Sequence, residues 1–131
     1  MEYQTNSHCK HLIALHLILV VKYRKQLLLG ELGAFVKLKI IDIAKYSEFE
    51  VEEVEIDKDH IHILLTISPT ISVSSYVRRI KQSTTQCVWS EFKWLKKEFW
   101  KENTFWSDSY FVCSVGNASA ETVRKYIQEQ G

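Results

Sequence analysis

The stretch DKDHIHILLTISP, Asp57 to Pro69, sets two histidines around one isoleucine at the head of an apolar run. Side chains of a strand alternate between its faces. His60 and His62 therefore point one way, and Ile61 and Ile63 the other. Paired imidazoles on one face form a bidentate platform for a metal ion; the plainer reading is two polar residues on a solvated or packed strand face. A zinc site would want more ligands. The cluster His8-Cys9-x-His11 offers further donors, but reads better as a solvated N-terminal arm. The terminal segment SAETVRKYIQEQG supplies a better partner. In a helix Tyr126 and Gln130 are four residues apart and share a face. The Gln130 amide oxygen is a third donor for a cation that accepts mixed nitrogen and oxygen ligands, Mn²⁺ somewhat more comfortably than Mg²⁺. Alone, Tyr126 reads as a half-buried aromatic of an amphipathic helix.

These residues need elements to position them. The run LIALHLILVV, Leu12 to Val21, is a buried strand of about Leu12 to Lys22. It is too short to span a bilayer and is followed by no small-residue cleavage site. Apolar residues Leu32, Phe35, Val36, Ile40, Ile43 and Ala44 recur at helical spacing, so a helix covers roughly Glu31 to Tyr46 after Gly30. A strand of about Glu50 to Asp57, the turn Asp57-Lys58-Asp59 and a strand from His60 to Ile67 form a hairpin. Ser72 or Ser74 caps a helix that runs to about Phe92, and a short helix covers Trp94 to Trp100. A last strand, about Ser109 to Val115, leads to the final helix, capped by Ser119. The order predicts an α+β domain over residues 1–131. Its fold is ferredoxin-like (RRM-like), an antiparallel sheet with helices on one face, and the final helix is left over.

Composition narrows the class without choosing a partner. The chain has 131 residues, net charge +1, 46% hydrophobic and 25% charged residues, as expected for a globular protein with its own core. Cys9, Cys87 and Cys113 form no CxxC pair and no disulfide framework, which fits a reducing cytoplasm. Charge is polarised: Arg78, Arg79, Lys81, Lys93, Lys96, Lys97 and Lys101 cluster against Glu91 and Glu98, while seven acids crowd Glu48 to Asp59 against Lys58. A polyanion could be drawn to the basic side; two solvated faces of opposite sign account for the same pattern.

DHIHILL, FWSDSYFVCSVG, the terminal YIQEQ and LHLILVVKYRKQLL (Leu15 to Leu28) resemble the single-tyrosine HUH transposases, the TnpA enzymes of the insertion-sequence two-hundred and six-hundred-five group. HUH denotes His, bulky hydrophobic, His, here His60-Ile61-His62. The resemblance runs in order from about Leu12 to Gln130. It implies a prokaryotic, cytoplasmic, homodimeric endonuclease and strand transferase. Such an enzyme would cut and rejoin single-stranded DNA at transposon ends and recognise subterminal hairpins. It further implies that Tyr126 is the nucleophile, that His60, His62 and Gln130 hold Mg²⁺ or Mn²⁺, and that the tyrosine helix can complete the partner subunit's site. Arg78, Arg79, Lys81 and Lys125 are the candidate DNA contacts, with Trp89, Trp94 and Trp100 interleaved among the bases of that region. Trp89 and Trp100 are expected in core or dimer packing. A domesticated relative acting on palindromes would share this chemistry. A catalytically silent ferredoxin-like nucleic-acid-binding module would leave His60 and His62 as surface residues.

Overall fold

The computed structural model describes residues 4–6, 9–11, 13–100, 102–114 and 120–130, with side chains described over 13–100, 102–114 and 125–130. In chain order the strands are β1 (Gln4–Asn6), β2 (Cys9–His11), β3 (Ile13–Val20), β4 (Phe49–Asp57), β5 (His60–Ile67) and β6 (Phe111–Ser114). The helices are α1 (Gly30–Lys45), α2 (Val73–Glu91) and α3 (Ala120–Glu129). β3 to β6 form an antiparallel sheet in the order β4-β5-β3-β6. With α1 between β3 and β4 and α2 between β5 and β6, this is the ferredoxin-like arrangement that the element order predicts.

The period of β5 is read out in its burial. Ile61, Ile63, Leu65 and Ile67 are buried in the core with α1 and α2, while His60, His62 and Leu64 are half-buried on the opposite face. Each fully buried aliphatic side chain contributes about 1.5–3 kcal/mol. β3 is different. Leu17, Leu19 and Val21 join the helix-side core, and Ile18 and Val20 are equally buried on the other face. A strand covered on both faces has no use for alternation, which is why LHLILVV is a nearly continuous apolar run. The cover on the second face is α3, whose Ile127 and Tyr126 pack on Ile18, Val20 and Phe111. The helix left over by the sequence reading thus lies on the open face of its own sheet.

Local chemistry explains the ends of the elements. Ser72 Oγ accepts from the Ser75 amide and caps α2. Gly30 opens α1 at φ +53°, and a Cβ at Gly33 would lie 3.0 Å from the carbonyl carbon and oxygen of Leu28, so the helix starts against the preceding chain. Inside the core, Thr84 Oγ1 donates to Ile80 O and accepts from Trp106 Nε1 at 2.8 Å. That bond locks the segment before β6 onto α2.

Several expectations are corrected. The N-terminal arm contains a ladder: Cys9–His11 pairs with Gln4–Asn6; the side chains proposed there as donors lie outside the described residues. The short helix after α2 is a 3₁₀ turn, Lys93–Lys97, set by Leu95 burying into the core. The last strand is shorter than expected, starting at Phe111. Trp89 packs against the core and donates to Thr104 O at 2.7 Å, but Trp100 is 90% exposed and belongs to no core. No helix among the described residues is long and apolar enough to cross a membrane.

Candidate active site

The open face of the sheet is a grid. Across the strands, Asp57, His60 and Val20 form one row, and Glu55, His62, Ile18 and Phe111 the next. The acids of β4 therefore stand on one side of the two histidines, and the apolar bed of α3 stands on the other. His60 and His62 are together on one face, as their spacing requires.

Each histidine has one ring nitrogen engaged. His60 Nδ1 lies 2.9 Å from Asp59 Oδ1, and the second Asp59 oxygen accepts from Arg24 Nε at 3.2 Å. Burial pushes the Asp59 carboxyl up, but the bonds from His60 and Arg24 outweigh it and hold the group below its ordinary value. An ionised Asp59 accepts the Nδ1 proton of His60 and leaves Nε2 for another partner, the arrangement that orients metal-binding imidazoles. His62 Nε2 lies 2.7 Å from His16 Nδ1, with the rings 4.8 Å apart. Burial, reinforced by His16, lowers the His62 pKa against the opposing pull of Glu55, so His62 is neutral at pH 7. His16 and His62 line a cleft of ≈ 90 Å³ with Glu53, Glu55 and Leu64. The sequence reading overlooked His16. Its signal was a lone polar residue inside an otherwise apolar strand.

Tyr126 and Gln130 also meet, through a residue that the sequence did not single out. Ser109 Oγ lies 2.8 Å from the Tyr126 hydroxyl and donates to Gln130 Oε1 at 2.9 Å. A serine has one proton. With that proton on Gln130, the Tyr126 hydroxyl is the donor to Ser109. Burial raises the Tyr126 pKa, and the Ser109 and Ser107 hydroxyls oppose the shift without cancelling it. The resting nucleophile candidate is a neutral phenol.

Lys81 places this serine. Its Nζ donates to the carbonyls of Ser107 at 2.7 Å and Ser109 at 3.0 Å, and burial lowers its pKa. The ammonium of this candidate DNA contact thus holds the loop before β6. Arg78 and Arg79 are exposed, with Arg79 donating to Tyr46 O; Lys125 is exposed on α3, and the Arg124 side chain lies outside the described residues.

Among the described residues no group of three or more His, Cys, Asp or Glu side chains is set to hold a metal ion. The donors available to one are the two imidazoles, with the His62 pKa lowered by burial, and the amide oxygen of Gln130 at the end of the neighbouring helix. That mixed set suits a divalent cation such as Mn²⁺ or Mg²⁺. Gln130 would have to exchange its bond from Ser109 for the ion.

Comparison with known proteins gives the family of the chain. The family model described as "Transposase IS200 like" matches residues 9–130. The ISDra2 transposase TnpA of Deinococcus radiodurans is 33% identical over 88% of this chain and 81% of its own length. The transposase for insertion sequence element IS200 of Salmonella typhimurium is 31% identical over 96% of this chain and 79% of its own. A crystal structure of a candidate transposase from Deinococcus radiodurans superposes with a TM-score of 0.89 at 28% identity, covering 97% of both chains. A REP-associated tyrosine transposase bound to a REP hairpin shares the fold alone, with a TM-score of 0.57 at 15% identity over 94% of this chain and 68% of that one. The chain belongs to the IS200-like transposase family.

Proposed function

We propose that this transposase cleaves and rejoins single-stranded DNA at transposon ends through a 5′-phosphotyrosine on Tyr126. The observation that carries the reading is the shared sheet face: His60 and His62 project from β5 where α3 lays Tyr126 across the neighbouring strands. In this mechanism the Tyr126 oxygen attacks the scissile phosphorus, the bond to the 3′ oxygen breaks, and that oxygen takes a proton from solvent and leaves as a hydroxyl. The phenol proton passes out through the Ser109 contact to solvent. A 3′ hydroxyl from another strand reverses the step, so the phosphodiester is reformed without a nucleotide cofactor. A divalent cation on His60, His62 and Gln130 would supply Lewis-acid polarisation of the phosphate. Asp59 and His16 hold the two imidazoles for that task, and Ser109 holds the nucleophile.

Family resemblance further implies hairpin recognition and a homodimer. Arg78 and Arg79, exposed on α2, and Lys125, exposed on α3, are the candidate groups for backbone contacts. The test is covalent trapping. Wild-type protein and Tyr126→Phe are incubated with labelled single-stranded DNA from the element's own ends, with Mn²⁺ or Mg²⁺, and resolved on a denaturing gel. A protein–DNA adduct lost in the variant and with chelator supports the reading. A wild-type protein that binds these ends and forms no adduct overturns it in favour of the silent binding module.

A further inference from the structure

Between β3 and α1 the chain makes a 3₁₀ turn, Lys22–Arg24, with two consecutive non-glycine residues in the left-handed region: Tyr23 at φ 61° and Arg24 at φ 52°. That conformation is unfavourable for residues with a Cβ, and it persists only where surrounding contacts over-determine it. They do so here from both sides. The Val21 amide donates to Asp59 O at 2.8 Å, the Arg24 amide to Val21 O at 2.8 Å, and the Lys22 amide to Phe105 O at 2.9 Å. Arg24 Nε pairs with Asp59 Oδ2, and Lys22 Nζ lies 3.5 Å from Asp108 Oδ1.

The turn thus joins the two halves of the candidate active site. Through Arg24 it reaches Asp59 and so His60. Through Lys22 it reaches Asp108, the neighbour of the Ser109 that holds Tyr126 and Gln130. The strained residue itself contributes nothing to the core. Tyr23 is 58% exposed, and the Lys22 ammonium sits 5.8 Å from its ring centroid. Strain without burial is not explained by stability. What the turn presents is an exposed aromatic ring beside a cation, on a residue whose two neighbours are tied to the nucleophile group and to the histidine group.

We propose that Tyr23 is a stacking platform for an unpaired base of the DNA strand held at this centre, with Lys22 neutralising an adjoining phosphate. This rests on the single-stranded DNA reading above. Flat aromatic rings next to basic groups are how proteins grip single strands without reading every base, because each base offers a π face. A duplex would not offer that face, so the platform selects unpaired DNA beside the scissile bond.

The test is fluorescence anisotropy with a labelled, hairpin-free oligothymidine, using wild-type protein, Tyr23→Phe and Tyr23→Leu. Thermal unfolding of the same samples checks that the exposed substitution leaves the fold intact. Tyr23→Leu should bind roughly tenfold more weakly, while Tyr23→Phe should stay within about twofold of wild type because the ring is retained. Iodouracil in the oligonucleotide should photocrosslink to the peptide carrying Tyr23. Equal affinity for wild type and Tyr23→Leu overturns the proposal, as does a Tyr23→Phe loss as large as that of Tyr23→Leu. So does an effect of Tyr23→Leu on self-association alone. The probe needs no cleavage, so the outcomes separate. Binding and crosslinking through Tyr23 without any Tyr126 adduct would keep the platform and sink the cleavage reading. An adduct with unchanged Tyr23→Leu affinity would sink the platform alone.

Discussion

His16 Nδ1 and His62 Nε2 lie 2.7 Å apart, although 46 positions separate them in the chain. The contact joins adjacent strands diagonally, because His62 pairs with Ile18 and His16 with Leu64 in the β3–β5 register. One nitrogen must carry the proton and the other accept it. The bond therefore holds the His62 ring in place, while the Asp59 carboxylate, which can only accept, orients His60.

His16→Ala should accordingly weaken Mn²⁺ binding by about tenfold or more. Isothermal titration of the DNA-free protein measures this directly. His62→Ala should lose more, since it removes a donor and not its support. Unchanged Mn²⁺ affinity in His16→Ala would mean that the histidine pair is packing only.

Ser109 holds Tyr126 and Gln130 with one hydroxyl. Ser109→Ala removes both bonds, each worth about 1 kcal/mol net, and frees the phenol to sample other positions. Adduct formation on single-stranded DNA should slow at least several-fold, with DNA affinity nearly unchanged. Ser109→Thr, which keeps the hydroxyl, should recover most of the rate. An alanine variant as fast as wild type would remove Ser109 from the positioning role.

Lys81 donates to two carbonyls of the same loop from a half-buried position. Lys81→Met should destabilise the fold by about 1–2 kcal/mol, read in urea denaturation. Arg78→Ala and Arg79→Ala, exposed on the same helix, should leave stability within about 0.5 kcal/mol but flatten the salt dependence of DNA binding. The reverse pattern, with Lys81 governing the salt slope, would make it a phosphate contact.

Tyr126 and Tyr76 both have pKa values raised above 10.0 by burial. A raised folded-state value means that their contribution to stability is fully present below the unfolded phenol value and is lost as pH climbs through the folded one. Wild-type protein should lose stability above about pH 10, and Tyr126→Phe should show a smaller alkaline loss. Denaturation at stepped pH, with absorbance at the phenolate band, checks both. Identical alkaline profiles for the two proteins would show that Tyr126 is solvated.

Much of this molecule is legible from periodicity. Strand alternation alone puts His60 and His62 on one face with Ile61 and Ile63 opposite, and helical spacing alone aligns Tyr126 with Gln130. Both are local rules, carried by a few consecutive residues whose backbone geometry repeats. The alternation of elements likewise leads to the ferredoxin-like sheet, since hairpin and crossover connections leave few alternatives. What only the tertiary structure decided lies in contacts between residues far apart in the chain. His16 beside His62, Arg24 on Asp59, Ser109 between Tyr126 and Gln130, and Lys81 on the Ser109 loop all depend on strand register and on which sheet face α3 covers. Nothing periodic marks such residues. A serine that holds a nucleophile and a serine in a surface turn look alike in sequence, because the difference lies in what the fold brings within 3 Å of the hydroxyl.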